Sequence, residues 1–468
     1  MKLTTKDDVK CIIDSAEKIL YECFEMLLSL KHARDNLGDI ILTFQPKLAE
    51  CLYNLMQFYH KLKSENKDLI SQKSSYDAVD FSKAMAENAS FQRIIKTTIE
   101  IGKSLGDAYA WFFFRDNKLE LNKHFSHKST GLYTSGIGGL GELEFIKNTQ
   151  NIDGLYVLYH GITSMLRIGD FSLYALDGGI VGVGELKTKH EEDTLKVFAT
   201  ITTKVSIRDQ VNLPDQKSSS IEEYIENLQK DFPKIKRQLS EHSEAIKAKE
   251  SDFSEELYTS YEYDIVNNLT ADNPIVINSD NSLMLVAGLS KYESLFDVLC
   301  DTEEEITLPE NFEEKVLSLN IPPSPYNAFV LGKFVNKMSI MSIPILWWEI
   351  DDEICKNIYF FKMSISTVFN PAKLLQYYLD DGFEIIQTGK LEDIKIQKIV
   401  NNHRIGIGNF QSLCYLITNN LMKTADVYTS SQIMTRSMEL GQFKPNSKIN
   451  LQIHLNNFGS PKEKIEKK

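Results

Sequence analysis

The chain has 468 residues, a formal net charge of −13, and a composition that is 42% hydrophobic and 25% charged. This length allows two or three domains, and the composition is that of an ordinary globular protein. The acidic balance argues against tight nonspecific binding of nucleic acid by the whole surface, while leaving room for a local basic groove and for divalent cations at carboxylates.

No apolar run reaches the length of a membrane span, so no membrane partner is expected. The N-terminal stretch MKLTTKDDVKCIIDSAEK is too acidic and too interrupted for a signal peptide. Six scattered cysteines (11, 23, 51, 300, 355 and 414), none in CxxC spacing, point to reduced thiols in a cytoplasmic protein, without a zinc cluster or a disulfide framework.

Residues 1–125 read as an N-terminal helical region. Val9, Ile12, Ile13, Ala16, Ile19, Leu20, Cys23, Phe24, Leu27 and Leu28 recur at helical spacing. A second stripe runs through Leu48, Leu52, Leu55, Met56 and Tyr59, with Pro46 expected near its first turn. The two helices form a hairpin that either packs on the rest of the chain or joins copies into a homo-oligomer or takes a partner. A third helix is predicted over Phe91 to Trp111, with Trp111-Phe112-Phe113-Phe114 as core.

Residues 126–295 read as a second domain. A glycine-rich entry, Gly131 to Gly141, leads into Glu142-Leu143-Glu144-Phe145-Ile146-Lys147, and a strand follows at Leu155 to Tyr159. The glycine run lacks the Gly-Lys-Ser/Thr ending of a P-loop, and no clear strand precedes it. Its glycines are read instead as permitting close approach to a site or motion of an entry loop. His124 and His127 lack a metal-ligand partner at suitable spacing, and His160 reads as a turn histidine or a substrate contact. Further on, Ser219 and Glu222 make a capping box, a helix is predicted over about 232–249, and strands at Ile275–Ile277 and Leu283–Val286.

The segment IGDFSLYALDGGIVGVGELKTK, residues 168–189, reads as two strands around a tight turn. A Gly178–Gly179 turn sets Asp170 opposite Lys187, and an Asp177–Gly178 turn sets it opposite Glu185. Strand side chains alternate, so Asp170, Glu185 and Lys187 share a face under either register. Two carboxylates beside an ammonium suit metal-assisted phosphodiester hydrolysis. Asp170 and Glu185, with the Leu186 carbonyl, would offer oxygens to Mg²⁺ or Mn²⁺, and Lys187 would hold the attacking water. The Glu-x-Lys triplet recurs at 65–67, 313–315 and 466–468, so the paired-strand context carries the signal. A salt-bridged, solvated strand pair is the plain alternative.

Gly169-Asp170 followed by Gly184-Glu185-Leu186-Lys187, with Gly141-Glu142 upstream, resembles the PD-(D/E)XK restriction-endonuclease-like nucleases. Gly-Gly-Ile-Val-Gly-Val-Gly-Glu-Leu-Lys is similar to the Mrr-like and NERD branches and to Shedu-type anti-phage nuclease domains. The resemblance covers about residues 130–290, with Gly169 in place of the proline of the family's name. It implies a helix carboxylate, Glu142 or alternatively Glu144, that joins the metal site, and a glutamine on a later helix, Gln238. It also implies a DNA-cutting role in bacterial or phage defence.

Residues 296–450 read as a C-terminal α/β domain, with strands at Ile343–Ile350 and Ile358–Phe361 and helices at Pro371–Tyr378 and Phe410–Met422. Trp347-Trp348 either stack bases or pack in a core. Residues 451–468 form a charged tail. The expectation is an α/β protein with a central restriction-endonuclease-like domain and Mg²⁺-dependent endonuclease activity on DNA, under the control of an activating partner or ligand. The alternative is an inert scaffold of the same fold that binds nucleic acid or protein.

Overall fold

Thr5 opens the first helix, α1 (Lys6–Lys31), with a capping box: its hydroxyl oxygen accepts from the Asp8 amide, and the Asp8 carboxylate accepts from the Thr5 amide at 2.9 Å. Val9, Ile13, Ala16, Leu20, Cys23, Phe24 and Leu27 are buried along it, at the spacing that predicts the helix. The computed structural model describes residues 3–32, 37–114, 121, 124, 136–175, 179–191, 194–203, 253–259, 262–301, 311–319, 330–334, 344–386, 394–407, 410–432, 435–436 and 449–455. Within these, helices and sheets are mixed.

The chain divides into two compact units, one of residues 1–4 and 38–249, the other of residues 5–37 and 250–468. These units do not follow the composition shifts at 125 and 295, because α1 groups with the C-terminal half.

The first unit contains the candidate site. Its helices are α2 (Leu37–Ser71), α3 (Ala78–Phe114) and α4 (Ile137–Asn148). Its sheet runs β1 (Asn151–Ile152), β2 (Leu155–Tyr159), β3 (Phe171–Ala175), β4 (Gly179–Glu191) and β5 (Thr194–Thr203), an antiparallel meander in chain order. Both long helices exceed their expected limits, and Pro46 lies inside α2 rather than at its start. A proline removes one helix hydrogen bond, and the helix continues here because tertiary bonds hold the same turn. The phenols of Tyr109 and Tyr156 donate to the Ile41 carbonyl at 2.9 and 3.0 Å. Gln45, fully buried, donates to the Val157 carbonyl at 2.8 Å and accepts from the Tyr159 amide at 2.8 Å, so α2 supplies β2 with bonds that the two-residue β1 is too short to make.

Helix α4 packs on β4 and β5. A Cβ at Gly141 would lie 2.1 Å from the Thr188 hydroxyl, and a Cβ at Gly184 would lie 2.0 Å from the Phe171 ring. Both glycines are set by close approach. Thr188, Leu186, Gly184 and Phe171 therefore make the sheet face under α4, and Phe145 of α4 meets Phe171 with ring centroids 5.3 Å apart. By alternation, Glu185 and Lys187 belong to the other face.

The second unit packs α1 against α5 (Leu295–Cys300) and a short 3₁₀ turn at Ile345–Trp347. Beside these lies a four-stranded antiparallel sheet in the order β7 (Ile275–Ile277), β8 (Leu283–Leu289), β10 (Met363–Phe369), β9 (Val330–Phe334). Helices α6 (Phe312–Ser318), α7 (Asp352–Tyr359), α8 (Ala372–Asp380), α9 (Phe410–Asn420) and α10 (Thr424–Ser431) follow in the chain. A three-stranded sheet, β11 (Glu384–Ile386), β12 (Lys395–Val400) and β13 (His403–Ile407), and a parallel pair, β6 (Phe253–Thr259) with β14 (Ile449–Leu455), complete it. The strands expected at 343–350 and 358–361 are not formed. Pro344 opens the 3₁₀ turn, and Asp351 caps α7 by accepting from the Glu353 and Ile354 amides at 2.9 and 3.2 Å. Trp347 and Trp348 are buried, and Trp348 stacks on Tyr263 at 3.8 Å, so the pair serves the core rather than a base.

Gly184→Ala forces the Phe171 ring out of its packed position and is expected to cost about 1–3 kcal/mol. Gly38→Ala, with nothing within 4 Å of the added methyl, is expected to leave stability unchanged or slightly raised. Thermal unfolding of both variants beside the wild type checks this contrast.

Candidate functional site

The hairpin register decides which side chains meet. Phe171 pairs with Gly184, Ser172 with Val183 and Leu173 with Gly182; the register then shifts by one, with Tyr174 on Ile180 and Ala175 on Gly179. Neither expected two-residue turn accounts for this ladder. Leu176, Asp177 and Gly178 lie outside the described residues, and the extra residue in β4 is taken up by a bulge. Beyond the bulge the register is the one that places Asp170 level with Glu185, with Lys187 two residues on. Glu185 is half-buried and Lys187 exposed.

Asp170 is fixed on three sides. Its amide donates to the Gly184 carbonyl at 2.8 Å, its carbonyl accepts from the His160 amide at 2.8 Å, and its Oδ2 accepts from the Leu186 amide at 2.6 Å. Leu186, expected to offer its carbonyl, thus contacts Asp170 through its N–H. Gly169 has φ +73°, and a Cβ there would lie 2.5 Å from Val183 and 2.8 Å from the Gly184 carbonyl oxygen. A proline, locked near −65°, does not fit this position, which accounts for the glycine.

The loop that delivers Asp170, residues 160–169, is held from α3. A Cβ at Gly106 would lie 2.0 Å from the Ile162 carbonyl oxygen, so the loop backbone rests directly on the helix. At the next residue, the buried Asp107 carboxylate accepts from the Ser164 amide at 2.7 Å, the Met165 amide at 2.9 Å and the Ser164 hydroxyl. Burial pushes the Asp107 carboxyl up to about 6, against these hydrogen bonds and the nearby Lys103, which favour its ionised form.

Two histidines finish the clamp. His124 Nδ1 accepts from the Arg167 and Ile168 amides at 2.9 and 3.2 Å, so its proton sits on Nε2. His160 Nδ1 donates to the Gly169 carbonyl at 3.0 Å, which leaves Nε2 to accept from the Ser172 hydroxyl at 2.8 Å. Burial lowers the His160 pKa to about 4 and keeps the ring neutral. Both histidines are structural clamps, and His160 also opens a turn, its carbonyl accepting from the Thr163 amide at 2.9 Å, as expected of a turn histidine. His127 lies outside the described residues.

Glu142, on α4, accepts a hydrogen bond from the Tyr159 phenol. Burial pushes its carboxyl up to about 7; the charge of Asp170 adds to the rise, while Tyr159 and Lys103 oppose it. Lys103 is itself buried, at 9% exposure, and burial lowers its pKa against the pull of Asp107 and Glu142. The structure therefore brings Glu142 and Asp170 into electrostatic contact, and it adds Lys103, Asp107 and Tyr159, which sequence reasoning passed over. A signal was present: Lys103 and Asp107 are charges spaced i, i+4 among Gly102, Leu105, Gly106 and Ala108, a helix face with no other reason to carry them. Glu144, two residues on along α4, is exposed, and its carboxylate accepts from Asn148 at 3.4 Å. Gln238 lies outside the described residues, as do the helix expected at 232–249, the capping box at 219–222 and the tail from 456.

Oxygen donors from Asp170 and Glu142 are of the type that Mg²⁺ or Mn²⁺ takes, and a cation there would offset the part of the Glu142 rise that comes from the Asp170 charge, burial being the larger cause. Among the described residues, however, no three His, Cys, Asp or Glu side chains are gathered as a ready metal-binding group. The set fits a divalent cation as a carboxylate pair, with Glu185 close by in register. No family model, no curated protein and no solved structure matches this chain.

Two outcomes follow. Glu142 has its folded pKa raised from the ordinary 4.5 to about 7, so the fold is favoured below pH 4.5 relative to high pH and loses that advantage as pH rises through 7. Glu142→Gln in EDTA is expected to raise the unfolding midpoint above pH 7, by an amount that shrinks toward pH 5. Asp107→Ala removes the one oxygen, Oδ1, that accepts from both the Ser164 and Met165 amides. It is expected to speed hydrogen exchange at Ser164 and Met165 and to cost about 1–3 kcal/mol, measured by exchange mass spectrometry and denaturant unfolding.

Proposed function

We propose that this protein is a metal-dependent nuclease that hydrolyses phosphodiester bonds, with DNA as substrate. The observation that carries the reading is the meeting of Glu142 from a helix with Asp170 from a clamped loop, at the end of a hairpin whose next strand presents Glu185 and Lys187. Asp170 and Glu142 would hold Mg²⁺ as a carboxylate pair, and the ion would supply a water of lowered pKa and offset charge on the scissile phosphate.

The chain's own residues divide the remaining work. Asp170 is oriented by the Leu186 amide, so its carboxylate is in place before any ligand arrives. Tyr159 holds the Glu142 carboxylate through its phenol. Lys187, exposed on the open face, would steady the attacking water and the charge that builds on the phosphate. Its part is that of an electrostatic group rather than a base.

The resemblance to PD-(D/E)XK nucleases of the Mrr, NERD and Shedu types supports the same reading from the sequence side. A role in antiviral defence, a cytoplasmic setting, self-association and an activating partner or ligand belong to this proposal. The inert-scaffold reading is favoured by one observation, the lack of a gathered three-ligand group among the described residues.

Purified protein incubated with plasmid and linear DNA in Mg²⁺, Mn²⁺ or EDTA separates the two. Metal-dependent cutting that falls by about 100-fold or more in both Asp170→Ala and Lys187→Ala is the expected result. Absence of both cutting and divalent-ion binding assigns the hairpin a structural role.

A further inference from the structure

Lys103 lies within α3 and is 9% exposed. An ammonium at such depth is costly unless its surroundings compensate it. Its place on the helix decides what it faces. Gly106 and Asp107 follow it at i+3 and i+4, so the three share one side of α3. That side receives the 160–169 loop: a Cβ at Gly106 would strike the Ile162 carbonyl, and Asp107 accepts from the Ser164 and Met165 amides. The start of the same loop carries the contact on to α4. A Cβ at Gly161 would strike the Tyr159 phenol, and that phenol donates to Glu142. Lys103, Asp107, Tyr159, Glu142 and Asp170 thus cluster around one loop, and Lys103 attracts both Asp107 and Glu142.

The two attractions differ in what they leave over. Asp107 has its oxygens on two amides and a hydroxyl, and these hydrogen bonds weigh more on its ionisation than Lys103 does. Glu142 has the Tyr159 phenol, and it feels the repulsion of Asp170, with Lys103 as the opposing charge. Lys187 does not take this part. Strand alternation places it on the face of β4 turned from α4, whereas Glu142 stands on α4.

We propose that Lys103 is the resident counter-ion of the Glu142–Asp170 pair, a positioning residue that keeps the two carboxylates together without metal and sets how tightly they hold a divalent ion. The inference rests on the metal-site part of the nuclease reading and adds what tunes that site. A fixed positive charge beside two carboxylates offsets their repulsion, and it repels any cation that joins them. Its removal therefore acts oppositely on the two states: the empty pair loses its compensation, and the occupied pair loses a repulsion. A proton competing at Glu142 also gains when the ammonium goes. A divalent ion carries twice the proton's charge and gains about twice as much, so the ion gains overall.

Lys103→Met removes the charge and keeps a long, unbranched side chain. The test titrates Mn²⁺ into the full chain at about pH 8, above the Glu142 value of about 7, and follows by calorimetry the binding that Asp170→Ala abolishes. Lys103→Met is expected to bind Mn²⁺ about fivefold or more tightly than wild type, and Lys103→Gln to do the same. Denaturant unfolding in EDTA at the same pH completes a double-mutant cycle with Glu142→Gln. Lys103→Met is expected to lower the midpoint more in the wild-type background than beside Glu142→Gln. A packing role alone gives equal losses in the two backgrounds and no change in Mn²⁺ affinity. Circular dichroism identifies the variants that are folded.

Mn²⁺ affinity unchanged or lowered in the neutral variants, equal midpoint losses in the two backgrounds, or no Asp170-dependent Mn²⁺ binding by any form overturns the proposal. The outcomes separate from those of the nuclease reading. Tighter Mn²⁺ binding and a coupled midpoint, without cutting of DNA, keep the counter-ion and remove the nuclease. Asp170-dependent cutting with Mn²⁺ affinity indifferent to Lys103 keeps the nuclease and removes the counter-ion.

Discussion

The first unit is organised around a carboxylate that never reaches solvent. Asp107 is 2% exposed, and a charge at such depth is tolerated only when its lone pairs are taken up. Two amides and a hydroxyl of the 160–169 loop take them up, and Lys103 lies one helical turn away. The requirement acts in both directions. The carboxylate needs the loop for its hydrogen bonds, and the loop, which has no strand partners of its own across Ser164 and Met165, needs the carboxylate. Gly106 makes this possible by letting the loop backbone sit against α3. From that fixed point the chain runs through His124 and His160 contacts to Gly169, and then to Asp170. The position of the candidate acid on the sheet is thus set from a helix more than 60 residues earlier.

A second constraint separates function from packing. Helix α4 approaches the sheet so closely at Gly141 and Thr188 that one face of β4 is wholly committed to it. Alternation then leaves Glu185, Lys187 and Lys189 on the other face, where they cost no buried charge. Only Glu142 crosses this division. It sits on the covering helix yet feels Asp170, and its raised pKa expresses first the cost of burying a carboxyl there and then the Asp170 charge, which Lys103 only partly offsets. Groups held at such expense of stability are characteristic of sites kept for chemistry, although buried structural networks produce the same signature.

How much of this was legible depended on range. The hairpin strands, the helix at Glu142 and the approach of Asp170 to Glu185 follow from period-two alternation and glycine placement, which are local signals. The clamp did not, because Asp107 meets Ser164 across 57 residues, and nothing in a helical apolar run tells a core position from one that receives a distant loop. Lys103 and Asp107 stood out only as charges in an apolar face. Misreading 343–350 and 358–361 as strands has a different cause. Short apolar runs look alike in helix and strand, and the deciding residues were Pro344 and the capping Asp351 rather than the tryptophans between them. Pro46 misled for a related reason: its rule concerns the helix's own hydrogen bonds, while Tyr109 and Tyr156 hold that turn from outside it and Gln45 ties it to β2.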